Sequence, residues 1–145
     1  MYDSTQRAMY VSALAINEIA KKIPFDFVMC NGDYLYNSTS STKANMINYY
    51  TELSKAIRKI NIPVFLGKGN HDINDIASSS SNYLTDEELY KSFLKYTTLK
   101  YNGNYGHLQD AYGYYDIPNK KIRFIFINTV DVNSDEQHTT GVSNE

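Results

Sequence analysis

Two short apolar segments, each followed at once by a polar loop containing glycine, constrain the fold of this chain more than any other feature. Residues 25–30 (FDFVMC) lead into residues 31–33 (NGD), called here the GD loop. Residues 64–66 (VFL) lead into residues 67–72 (GKGNHD), the GNHD loop. Residues 43–60 between them have the spacing of an amphipathic helix. This order predicts a βαβ unit with parallel strands and a right-handed crossover, so both loops should lie at one edge of the sheet.

Two amphipathic helices are predicted from apolar residues that recur at alternating steps of four and three. Pro24 ends the first helix, because proline has no amide hydrogen and clashes with the preceding turn. Thr42 is a suitable N-cap for the second helix, which ends at residues 61–63 (NIP). The apolar positions are Met9, Ala13, Ile16, Ala20 and Ile23 in residues 4–23, and Met46, Tyr50, Leu53, Ile57 and Ile60 in residues 43–60.

The second half of the chain predicts a short helix and a hairpin. Thr85 and Glu88 form a capping box, which marks the start of the helix. Residues 112–117 and 122–128 read as two strands joined by a four-residue turn. The second strand is nearly all apolar, so it should be central to a sheet. Residues 129–145 are polar and aperiodic, and no element is predicted there.

The composition is that of a soluble globular protein. The chain has 145 residues, of which 42% are hydrophobic and 21% charged, enough for one domain with a packed core. No apolar run approaches the ~20 residues of a membrane span, and the N-terminus lacks the layout of a signal peptide. Lysine and arginine are scattered at a net charge of −2, so a nucleic-acid partner is not indicated. The single cysteine, Cys30, excludes an internal disulfide and favours a reduced, cytoplasmic compartment.

The residue types in the two loops suit metal-assisted hydrolysis. Ligands in open α/β sheets bind beyond the carboxyl ends of the strands, which is where Asp33, Asn70 and His71 should meet. The Asp33 carboxylate has two oxygens and can bridge two cations. The Asn70 amide oxygen is a hard, neutral ligand. The His71 imidazole can donate a proton to a leaving alkoxide.

The two loops resemble the middle motifs of the calcineurin-like metallophosphoesterases, in which GD follows one apolar strand and GNHD the next. This resemblance implies an α/β fold, with a mixed β-sheet flanked by helices as part of a two-sheet sandwich. It also implies hydrolysis of phosphate esters at a dinuclear centre of divalent or trivalent ions (Mn, Fe, Zn or Mg). The same resemblance implies that Asp33 is the bridging ligand. It implies that Asn70 binds the second metal and also contacts the substrate. His71 contacts the scissile phosphate as the catalytic residue. Residues 112–131 resemble the family's connection between its half-sheets.

Other motifs of that family have no match in this sequence. The family opens with Asp-x-His after a strand, whereas Asp3 is followed two places later by Thr5. It also has a later strand-end histidine and a Gly-His-x-His motif, and neither His107 nor His138 lies in such a context. The expectation is therefore a single truncated domain over 1–145, starting after Asp-x-His and stopping before the histidine-bearing half.

Residues beside the two loops are expected to have supporting roles. Asp72 should brace the GNHD loop rather than bind metal. Lys68 could attract phosphate, but a solvated lysine is the simpler expectation. Tyr34 and Tyr36 flank the GD loop and could line a pocket. Cys30, at the end of a buried strand, is expected to be a small core residue.

Two alternatives remain open beside hydrolysis of a small-molecule or other phosphate ester. One is a nuclease of the same superfamily, against which the scarcity of basic clusters argues. The other is a non-catalytic chain that retains the fold but not the metal site. Flanking Asp-x-His and Gly-His-x-His motifs would separate these possibilities, and no oligomeric state is indicated.

Overall fold

A parallel strand pair with a helix crossing between its strands forms the centre of the fold. Strand β1 is Val28–Cys30 and strand β2 is Val64–Leu66, paired in parallel from Val28 with Val64 to Cys30 with Leu66. The Gly67 amide donates to the Cys30 carbonyl at 2.8 Å, which continues the ladder into the GNHD loop. The predicted βαβ unit is thus confirmed. The computed structural model describes residues 4–35, 38–75, 77–98, 112–132 and 138–140.

The helices begin where the sequence predicts and end slightly earlier. Helix α1 is Ser4–Lys22, and helix α2 is Lys43–Ile57. The Thr42 side chain caps α2 by accepting a hydrogen bond from the Asn45 amide at 3.3 Å. The predicted helix over 43–60 tightens after Ile57 into turns with shorter hydrogen-bond spacing, as is common at helix ends.

Aromatic rings join the hairpin to the parallel sheet. Strands β3, Gly113–Ile117, and β4, Ile122–Phe126, pair antiparallel, which confirms the predicted hairpin. The buried Phe65 ring of β2 lies 5.4 Å from the Phe124 ring and 5.1 Å from the Tyr115 ring, measured between centroids. Offset aromatic contacts of this kind stabilise beyond their buried area.

The expectation that β4 is central to a sheet is wrong for the described residues, in which β4 pairs with β3 alone. Side chains alternate across a strand, so Phe124 and Phe126 face inward while Ile125 is 65% exposed. An apolar run shows that both faces are apolar. It does not show that both faces are covered.

A third strand pair lies where the sequence predicted no element. Strand β5, Val130–Val132, pairs antiparallel with strand β6, His138–Thr140. The Asn128 side chain accepts from the Val130 amide at 2.9 Å and donates to the Val130 carbonyl at 2.7 Å, which fixes the entry to β5. The described strands thus form three two-stranded sheets rather than one mixed sheet, while the α/β class is confirmed.

A third α-helix and three short 3₁₀ helices complete the described fold, and part of the hydrophobic core lies between the helices. Helix α3, Asp86–Ser92, begins at the predicted capping box, in which Thr85 and Glu88 exchange side-chain to amide hydrogen bonds. Over the described part of the chain, no helix is both long and apolar enough to cross a membrane. The 3₁₀ helices are Asn70–Ile73, Ser80–Asn82 and Leu94–Tyr96. The largest buried apolar side chains are Tyr50, Phe65, Phe93, Met46, Leu66, Ile73, Leu84, Leu89 and Leu94.

A buried ion pair ties the GNHD loop to α3. The Lys68 side chain is fully buried, and its Nζ lies 2.7 Å from Asp86 Oδ1. The expectation of a solvated Lys68 is therefore wrong. A buried ammonium needs a partner because desolvation of an isolated charge is costly, and Asp86 supplies that partner.

We expect Asp86→Asn to lower the free energy of unfolding by about 2 kcal/mol, because it leaves the Lys68 charge buried without its counter-ion. This is less than for a fully buried pair, since the Asp86 side chain is 24% exposed. Glu87→Gln is the matched control, because Glu87 also lies in the first turn of α3 but pairs with the exposed Lys91. The control should cost less than about 0.5 kcal/mol in urea denaturation. Equal losses would contradict the role given to Lys68.

Candidate metal centre

The GD and GNHD loops pack against each other at the carboxyl edge of the β1–β2 sheet. A Cβ atom added at Gly69 would lie 2.1 Å from Asp33 Oδ1, and one added at Gly32 would lie 2.1 Å from the Gly69 amide nitrogen. Gly32 also has φ of +98°, where side chains are strained. Glycine at these two positions is therefore required for the loops to meet.

Asp33 has an unusual backbone conformation. Its φ is +54°, in the left-handed region, which costs a non-glycine residue about 1 kcal/mol. A hydrogen bond from the Asp33 amide to Asp72 Oδ2, at 2.8 Å, holds this conformation. The side chain is exposed at the edge of the sheet, where it can take part in ligand binding.

The structure brings Asp33 to the start of the 3₁₀ helix that contains Asn70 and His71. Asp33 Oδ1 accepts a hydrogen bond from the His71 amide at 3.2 Å. Because Gly69 and His71 both contact Asp33, Asn70 lies between two neighbours of that carboxylate. The three candidates thus share one edge, as the topology predicted, while their chemical roles remain predictions.

The buried Asp72 carboxylate joins the two loops. Its Oδ2 accepts from the amides of Asp33 and Gly69, both at 2.8 Å. Its Oδ1 accepts from the Tyr34 amide at 2.9 Å and lies 2.7 Å from the Tyr50 hydroxyl. Burial raises the pKa of Asp72, and the hydrogen bonds to the carboxylate oppose that effect. The predicted bracing role of Asp72 is confirmed.

Tyr34 supports the strand ends rather than projecting into a pocket. Its hydroxyl lies 2.9 Å from the carbonyl oxygens of Cys30, the last residue of β1, and Gly67, the residue after β2. Cys30 is half-buried against the core, and burial raises the pKa of its thiol. The candidates Asp3, Tyr36 and His107 lie outside the described residues.

His71 pairs with a carboxylate that the sequence reasoning did not single out. His71 Nδ1 lies 3.0 Å from Asp75 Oδ1, and this hydrogen bond raises the pKa of His71. Asp75 follows four residues later but lies beyond the end of the 3₁₀ helix Asn70–Ile73, so helical spacing gave no sequence signal for this pair. Tyr50 was also missed as a site residue, because its position within an apolar stripe gave no indication of a polar partner.

The donors present fit the oxygen-rich part of a metal site. A carboxylate and an amide oxygen are hard ligands that suit Mg or Mn better than softer ions. Within the described ranges, no group of three or more His, Cys, Asp or Glu side chains could hold a metal ion. A metal centre built on Asp33 and Asn70 would therefore need further ligands.

Many families share an α/β architecture, and comparison of the sequence with family models identifies the family of this chain. The sequence model of the calcineurin-like phosphoesterases matches residues 4–142. The chain belongs to the calcineurin-like phosphoesterase family. Comparisons of the chain with curated proteins and with solved structures gave no match. The match confirms the family resemblance of the two loops, and metal-dependent hydrolysis of phosphate esters is the activity typical of that family.

In the protein without added metal, we expect the pKa of His71 to lie above its ordinary value of 6.5 and to fall towards it in Asp75→Asn. Since the folded-state pKa is raised, the stability that this pair contributes is fully present below pH 6.5. It is lost as the pH rises through the folded-state pKa. NMR titration of the imidazole measures the shift, compared between wild type and Asp75→Asn. An unchanged His71 pKa in the variant would contradict the role of Asp75.

Proposed function

We propose that this calcineurin-like phosphoesterase contributes Asp33, Asn70 and His71 to the dinuclear metal site of a phosphate-ester hydrolase. One observation supports this most directly. The backbone of Asp33 is held in a strained conformation. Its carboxylate is exposed and contacts the start of the 3₁₀ helix that contains Asn70 and His71. Residues with such backbone conformations persist where the surrounding structure fixes them, and they cluster at active sites and ligand-binding sites.

Asp33 and Asn70 are the proposed ligands. A carboxylate at Asp33 can bridge two cations, and the Asn70 amide adds an oxygen donor without adding charge. When bound, two such ions would supply the Lewis acidity that activates water and neutralises charge on the phosphate. The GD and GNHD loops would hold these donors without rearrangement, because Asp72 already fixes the backbone of both.

His71 is the proposed contact to the phosphate and to the leaving group. Its hydrogen bond to Asp75 orients the ring through Nδ1 and favours the protonated form. A protonated imidazole can stabilise negative charge on the phosphate and can give its proton to a departing alkoxide. The side chain is 43% exposed, so a substrate can approach it.

A non-catalytic role is the second candidate, and one observation favours it. The described residues contain no group of three or more His, Cys, Asp or Glu side chains that could hold a metal ion. A chain of this kind would retain the fold around Asp72 without holding metal. Metal titration separates the two candidates, because a non-catalytic chain would show no saturable cation binding at the two loops.

We expect Mn²⁺ to bind the chain weakly, with a Kd of about 0.1–1 mM, through Asp33 and Asn70. Asp33→Asn should weaken binding about tenfold or more, because a hard cation loses its charged ligand. Asn70→Ala removes the other proposed ligand and should also weaken binding. Asn31→Ala is its matched control, since both asparagines lie in loops that follow a strand. Isothermal titration calorimetry measures each Kd. Equal affinities for wild type and Asp33→Asn would argue against the ligand assignment.

We also expect negligible hydrolysis of an aryl phosphate by the 145-residue chain, because dinuclear centres need several ligands per ion and the described residues supply few. A colorimetric assay with added Mn²⁺ or Zn²⁺ measures the turnover, and Asp33→Asn sets the background. Two tight metal sites together with multiple turnover would show that the ligand set of this chain is larger than proposed.

A further inference from the structure

Tyr50 lies on the crossover helix α2, yet its hydroxyl reaches the junction of the two loops. The side chain is fully buried, and its ring packs 5.3 Å from the Phe93 ring between centroids. The hydroxyl oxygen lies 2.7 Å from Asp72 Oδ1 and 3.0 Å from the Asp72 carbonyl oxygen. The ring therefore belongs to the core, while the hydroxyl belongs to the polar network beside the candidate metal centre.

The Asp72 carboxylate is fully buried, so its hydrogen bonds determine where it sits. Three of its donors are backbone amides of the loops themselves, those of Asp33, Tyr34 and Gly69. Tyr50 is the donor that comes from a different element, and it connects this local network to α2. Burial raises the pKa of Tyr50, so its hydroxyl stays protonated and remains a donor.

The loss of this one donor would leave a buried carboxylate under-satisfied without opening a cavity. A buried charge with fewer hydrogen bonds shifts towards water or towards other donors. Movement of Asp72 would release the amides of Asp33 and Gly69, since both bond to the same Oδ2 atom. The strained φ of Asp33 would then lose the bond that holds it.

We propose that Tyr50 is a positioning residue for the GD and GNHD loops, acting from helix α2 through Asp72 to fix the backbone of Asp33 and Gly69. This inference rests on the proposed function only where it treats those loops as metal-binding. The positioning itself is a property of the metal-free chain.

Tyr50→Phe tests the proposal, because it removes the hydroxyl and keeps the ring. Tyr49→Phe is the matched control, since Tyr49 is the adjacent residue on α2 and is 43% exposed. Amide hydrogen exchange measured by NMR reports on the network without metal. We expect the Asp33, Tyr34 and Gly69 amides to exchange about tenfold faster in Tyr50→Phe, the effect of losing one hydrogen bond to a charged group.

Reference amides separate positioning from general stability. The Leu89 amide in α3 donates to the Thr85 carbonyl, and the Val28 amide at the start of β1 donates to the Pro63 carbonyl, so both lie outside the carboxylate network. A purely structural role for Tyr50 would speed exchange at all sites equally, which would overturn the proposal. A change confined to the Asp33, Tyr34 and Gly69 amides, absent from Tyr49→Phe, supports it.

A double-mutant cycle with Asp72→Asn tests whether Tyr50 acts through Asp72. If it does, Tyr50→Phe should add little to the exchange rate of the Asp33 amide in the Asp72→Asn background. Full additivity of the two effects would overturn the proposed route, even if each single variant changes exchange.

Paramagnetic broadening by Mn²⁺, with Mg²⁺ as the diamagnetic control, links the positioning to the site. Broadening of the Asp33 and His71 amides in wild type, reduced several-fold in Tyr50→Phe, supports the proposal. Equal broadening in both proteins would overturn the link to metal binding. No saturable broadening in wild type would count against the proposed function instead, and the exchange measurements would still decide whether Tyr50 is a positioning residue.

Discussion

The Asp72 carboxylate is the point at which the polar part of this structure is assembled. Two loops that are more than thirty residues apart in sequence donate backbone amides to it, and the crossover helix adds the Tyr50 hydroxyl. A buried charge is costly unless its hydrogen bonds are satisfied, so the donors of this network depend on one another. The backbone positions that this network fixes also set the positions of the exposed side chains on the two loops. In this sense the candidate site is built from its buried side outward.

Local signals predicted much of the fold correctly. Strand β2 has the predicted bounds, Val64–Leu66, because three apolar residues between a proline and a glycine leave little freedom. Helix α2 starts after Thr42 and helix α3 after Thr85, since each cap satisfies orphan amides within its own first turn. The common edge of the GD and GNHD loops followed from one crossover between parallel strands. All of these depend on interactions between residues close in sequence or on chain topology.

The features that sequence reasoning missed depend on partners distant in the chain or on which surfaces become covered. Lys68 reads as a surface residue until Asp86 is placed beside it by the packing of α3. Tyr50 reads as one more apolar position until its hydroxyl meets Asp72. The two faces of β4 look alike in sequence, yet Phe124 is partly buried against the sheet while Ile125 is exposed. Residue type cannot separate these cases, because burial is a property of the assembled chain.

The contact between Gly32 and Gly69 has a consequence for how the motifs persist. Each glycine is required by the backbone of the opposite loop, whether or not any ion is present. Selection for a stable fold would therefore retain both glycines in a descendant that had lost its catalytic ligands. The glycines of GD and GNHD thus record the close packing of two strand ends, whereas the Asp33 carboxylate, which lies against Gly69 and accepts from the His71 amide, is exposed on its other side, where a change of chemistry would first become visible.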